Sequence, residues 1–189
     1  MPAAGLIRRP WWAAERVDRD LARTAAMFAA GQVTVILSTA AAVWALAPAS
    51  WGSLITAEQR TDATALTVIS IAVNNLLICC LPLLAGVYAH RLARRGRRRF
   101  ARVAIAVAGL GVTRSLLVIG LVGGLDPAWL ARAAAWWVLE IAALSVCCAA
   151  GWTAFRDADP TVVSRQLAHA LAFAAAAVTV AAVVEVALT

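Results

Sequence analysis

Long apolar runs separated by short polar breaks dominate this chain. They fall at Ala25 to Ala47, Ala65 to Ala89, Val103 to Gly123, Ala128 to Trp152 and Gln166 to Leu188. Each is close to the roughly 20 residues that carry a helix across a bilayer core about 30 Å thick. The pattern therefore predicts an all-α polytopic membrane protein with five transmembrane helices. Asp126-Pro127 and Asp159-Pro160 each set a carboxylate before a proline, which marks the starts of the fourth and fifth helices. Pro82 lies inside the second run, where it removes the hydrogen bond to Ile78 and predicts one bent span.

Ahead of the first run, Trp11, Ala14, Val17, Leu21 and Ala25 recur three or four residues apart between charges. That spacing fits a short amphipathic helix on the membrane surface or a polar extension of the first span. The chain divides accordingly into a basic segment, 1–24, and a five-helix membrane domain, 25–189, with an arginine-rich loop at 90–102. "ALAPAS" after the first run resembles a signal-peptide cleavage site, but the run exceeds the 7–15 residues usual for such signals and reads as an uncleaved anchor.

Composition agrees with the pattern: 63% of the 189 residues are hydrophobic and 14% are charged, and mean hydropathy is +0.81. Five spans leave no length for a separate soluble catalytic domain. Every one of the 17 basic residues is arginine, and 14 of them fall in the tail, the loop after the second span and the segment between the fourth and fifth spans. Positive residues favour the cytoplasmic side, so the N-terminus is expected in the cytoplasm and the C-terminus outside, in the cell (inner) membrane. Trp44, Trp51 and Trp129 then mark the outer interface, and Trp11, Trp12, Tyr88 and Trp152 the inner one. The net charge of +7 points to anionic lipid and to a membrane or cytoplasmic protein partner, with no nucleic acid. Arg94, Arg95, Arg97, Arg98 and Arg99 are the expected contacts.

Polar groups inside the spans are few. Arg114 lies nine residues below Gly123 and Glu140 twelve below Ala128. At about 1.5 Å per residue their depths are roughly 14 and 18 Å, within arginine reach across a short hairpin. A buried Arg114–Glu140 ion pair is therefore expected. Asn74 and Asn75 fall at similar depth in the second span, as part of a polar midplane or as helix-to-helix hydrogen bonds. Arg132 and Glu185 could pair near the outer surface or snorkel to it.

Motifs for catalysis and cofactors are lacking. Cys79-Cys80 and Cys147-Cys148 are vicinal pairs without metal-site spacing, and His90 and His169 stand singly. "GLGVTR" opens like a dinucleotide fingerprint but lacks its third glycine and sits within a span. No catalytic residue, metal site or cofactor is expected.

The order "RRPWWAAERV", a first span, "AHRLARRGRRRFARVAIAVAGLGVTR" and then "AWWVLE" resembles the Yip family of five-span proteins, whose eukaryotic members are Rab-interacting trafficking factors. Pro10, Gly96 and Phe100 are the matching positions. A weaker likeness is to stage II sporulation protein M-like membrane proteins, through "NNLL" and the glutamate of the fourth span. The resemblance implies a non-enzymatic membrane scaffold or accessory subunit. A small permease or transporter subunit with a polar midplane is the principal alternative, and a lipid-modifying enzyme the third.

Overall fold

Each apolar run becomes a helix that overshoots it at the polar ends, because backbone groups in a bilayer find partners only within a helix or a closed barrel. The computed structural model describes residues 11–47, 65–156 and 160–188. Its helices are α1 (Trp11–Leu46), α2 (Ala65–Arg94), α3 (Arg98–Leu125), α4 (Pro127–Arg156) and α5 (Pro160–Leu188). Among the described residues there is no strand, and five helices are long and apolar enough to cross a membrane. Expectations for Arg8, Arg9, Pro10, Trp51, Arg60 and Asp159 lie outside the described residues. α1 is uninterrupted from Trp11, so the extension replaces a separate surface helix. Pro82 sits inside one continuous α2.

The helices are not arranged in chain order. α4 packs against α5, α2 and α1, while α3 packs against α1 and α2 and touches α4 only sparsely. This corrects the expectation that the third and fourth helices are close antiparallel neighbours. Their connection is the single residue Asp126, yet α1 and α2 fill the space between most of their lengths. The core collects around α4, where Ala133, Trp136, Ala143, Cys147 and Ala150 are buried with Ala174 and Val178 of α5.

Two close approaches fix this arrangement. A Cβ on Gly86 of α2 would stand 2.0 Å from the Gly151 carbonyl oxygen of α4, and one on Gly151 would stand 2.2 Å from the Pro82 carbonyl oxygen. The α2 and α4 backbones are in direct contact there, which no side chain would permit. Toward the other end, Gly120 and Gly124 of α3 meet Ile36, Thr39, Ala40 and Val43 of α1. Without a hydrophobic drive between helices in lipid, such small-residue seams supply much of the association through close packing.

The α2–α3 connection is a tight corner. Gly96 adopts φ 74°, its N–H bonds to Ala93 O, and Arg97 N–H bonds back to Leu92 O at 2.9 Å. This is a Schellman motif, with glycine at the left-handed position it requires. Asp126 ends α3 and caps α4, accepting a 2.9 Å hydrogen bond from Trp129 N–H as its sequence position predicts.

Candidate functional site

Polar side chains of α2 and α4 meet within the bundle. Asn75 Nδ2 donates to Glu140 Oε1, and Asn74 Nδ2 donates to Asn75 Oδ1 at 3.3 Å. Asn74 is exposed, whereas Asn75 and Glu140 are half-buried. Asn75, Glu140, Ser115 and Cys79 line a cavity of about 80 Å³, otherwise walled by apolar side chains such as Leu116 and Trp137. The close-packed α2–α4 crossing holds the amide beside the carboxylate.

The expected Arg114–Glu140 ion pair does not form. Glu140 bonds to Asn75, and Arg114 is exposed, with no ion pair or hydrogen bond among the described residues. Helical geometry accounts for this. Val112, Leu116 and Gly120 recur every four residues on the buried face of α3. A residue two positions from both Val112 and Leu116 points the opposite way at 3.6 residues per turn. Arg114 thus emerges among Leu110, Leu117 and Leu121, all exposed. Arg132 lies 3.9 Å from Asp126 and is itself mostly exposed.

One end of the bundle carries Arg91, Arg94, Arg95, Arg97, Arg98, Arg99 and Arg102, all exposed. The five expected contact residues are thus brought together, spread over the α2 end, the Gly96 corner and the first turn of α3. His90 ties this end together by donating from Nδ1 to Phe155 O of α4 at 3.4 Å. Arg156 places its guanidinium 5.8 Å from the centroid of the Trp152 ring, within cation–π range. Among the described residues no cluster of three His, Cys, Asp or Glu could hold a metal. All four cysteines are free.

Two further features escaped the sequence reading. Gln32 of α1 and Gln166 of α5 are buried, 5% and 2% exposed, and neither amide has a hydrogen-bond partner among the described residues. Gln32 was detectable, being the sole amide in the run Ala25 to Ala47. The Gly86–Gly151 contact was not, since neither position belongs to a recognisable motif. No protein-family model, curated protein or solved structure matches this chain.

Proposed function

We propose that this multi-pass membrane protein is a non-enzymatic accessory or scaffold subunit of a membrane complex in the cell (inner) membrane. In this reading the N-terminus and the arginine-rich end are cytoplasmic and the C-terminus is outside. The observation that carries the proposal is Arg114, an exposed arginine within the apolar length of α3. An arginine at a span's centre costs about 2.5–3.5 kcal/mol on insertion scales, and no group among the described residues pairs with it. A partner's transmembrane helix bearing a carboxylate, laid along Leu110, Arg114, Leu117 and Leu121, would remove that cost. Seven exposed arginines at the cytoplasmic end would add attraction for anionic lipid or an acidic partner. The resemblance to the five-span Yip family agrees with such a role.

The test is gentle detergent extraction with cross-linking from Leu117, followed by mass spectrometry. A specific membrane partner, captured by the wild type and lost with Arg114→Leu, is the expected outcome. Capture indifferent to Arg114 removes the α3 docking face. Orientation is checked separately: a reporter after Thr189 should be exported and one at Gly96 retained.

A second reading, a small permease or transporter subunit, is favoured by the Asn75–Glu140 pair on its midplane cavity. Proton or cation flux in vesicles that Glu140→Gln abolishes would raise this reading above the first.

A further inference from the structure

Toward the arginine-rich end two further cavities adjoin. The first, about 350 Å³, opens between α1 and α3 and is floored by Pro82 and Ala85 of α2 and by Cys148 and Gly151 of α4. Its volume is that of a small-molecule site. Its walls are apolar apart from Gln32 and Thr113. Gly31 of α1 and Gly109 of α3 both line it, and a Cβ on either would meet nothing within 4 Å. The second cavity, about 540 Å³, continues toward the arginine-rich end and is lined by Asp20, Arg23, Thr24, Thr153, Arg156 and Gln166. Met27 and Trp152 line both cavities, so they mark the junction. The Arg156 guanidinium, drawn over the Trp152 ring, stands at that junction.

We propose that these joined cavities bind one membrane phosphodiester lipid, its acyl chain in the α1–α3 cleft and its phosphate between Arg23 and Arg156. Chemistry changes along the path as it does along such a lipid. The cleft is apolar, and the chamber beyond the junction carries charged and hydroxyl-bearing side chains. Gln166 in the chamber and Gln32 in the cleft are buried amides with no hydrogen-bond partner among the described residues. Gln32 lines the cleft and Gln166 the chamber, so rotation of either amide toward the path would give its N–H groups an ester carbonyl or glycerol oxygen as acceptor. Charge also selects the headgroup. Among the described residues that line the chamber, Arg23, Arg156 and Asp20 sum to one net positive charge, which matches a phosphodiester. A phosphomonoester, with about −1.5 to −2 charge, would set its extra charge against Asp20. This site is separate from the outer face of α3 around Arg114, so the two proposals stand or fall independently.

The test uses purified, delipidated protein and native mass spectrometry with phosphatidylglycerol, phosphatidic acid, diacylglycerol and inorganic phosphate as probes. One phosphatidylglycerol should bind per chain, ahead of phosphatidic acid, with diacylglycerol and inorganic phosphate far weaker. Arg23→Gln with Arg156→Gln should weaken binding at least about tenfold, two cations having been removed from the phosphate. Gly109→Leu enters open space, so thermal stability should hold, while the new side chain fills the cleft and binding falls. Replacing Arg94, Arg95, Arg97, Arg98 and Arg99 by glutamine should leave the one-to-one complex intact. Binding that follows those five arginines instead, or that ignores Gly109→Leu, overturns the site as surface attraction. Equal binding of diacylglycerol overturns the phosphate assignment, and capture of inorganic phosphate alone overturns the lipid.

Discussion

α3 and α4 differ less in sequence than in fate. They are 28 and 30 residues long, are joined by one residue, and each carries one full charge near its middle. Yet 56% of the most apolar stretch of α4 is buried, against 17% for α3, although α3 is the more hydropathic of the two. In lipid, hydropathy decides whether a segment inserts and says little about which helix becomes central. Position is set by how closely neighbours can approach. The central α4 offers Ala143, Cys147, Ala150, Gly151 and Ala154 along the sides that meet α2 and α5, so helices close around it. In α3 the glycines in close contact, Gly120, Gly123 and Gly124, lie at one end, Gly109 and Gly111 meet no backbone, and leucines, valines and an arginine turn outward. The two charges follow suit: the half-buried Glu140 has an amide partner inside the protein, and the peripheral Arg114 has none among the described residues.

Placing the same side chain in each helix breaks the comparison most severely. Gly151→Leu drives a branched side chain into the α2 backbone at Pro82 and should cost about 3 kcal/mol or more, the upper range for overpacking. Thermal unfolding in detergent and yield of folded protein are the measurements. Gly109→Leu in α3 should shift stability by less than about 0.5 kcal/mol, as is usual away from packed contacts. Equal tolerance of the two would mean that α4 is not the enclosed helix.

Removing the charges separates the two helices next. Arg114→Leu should favour insertion of α3 by about 3 kcal/mol, the scale of an arginine at a span's centre, and leave the isolated protein no less stable. Glu140→Leu deprives Asn75 of its acceptor and should cost about 1 kcal/mol, the size of a typical hydrogen bond within a membrane protein. Because they share no contact, the double variant should be additive within about 0.5 kcal/mol. A double variant more stable than that sum would reinstate the ion pair and bring α3 inward. Asn75→Leu should reproduce the loss seen for Glu140→Leu, and the two losses together should fall short of additive.

The five spans and the Asp126 cap were legible because hydropathy and capping act locally. Clustering of the arginines was legible for the same reason, since span count alone dictates which loops share an end. Neighbour order was not. A one-residue connection suggested that α3 and α4 pack side by side, whereas the Gly86–Gly151 contact brings α2 to α4. That contact joins residues 65 apart, each an ordinary glycine in its own apolar run. The direction of the Arg114 side chain is hidden for a related reason: residue spacing gives depth along α3, whereas direction depends on which face the neighbours bury, here that of Val112, Leu116 and Gly120. Asn75 was assigned to the right depth without its acceptor, because the acceptor depends on helix order.

The smallest difference lies at the starts of the two helices. α4 begins on Asp126, whose carboxylate accepts the Trp129 N–H, while α3 begins on Arg97, whose side chain makes no such bond. Asp126→Ala should therefore cost about 1 kcal/mol, the usual loss on deleting an N-cap. Its 3.9 Å contact with the exposed Arg132 adds little, since surface ion pairs contribute about 0–1 kcal/mol. Arg132→Ala should thus leave most of that stability in place. Arg97→Ala should be close to neutral, because α3 takes its start from the Gly96 corner and the return bond from Arg97 N–H to Leu92 O, which alanine retains. If the two alanine variants lost equal stability, side-chain capping would not distinguish the helix starts, and the Schellman corner would be insufficient to fix where α3 begins.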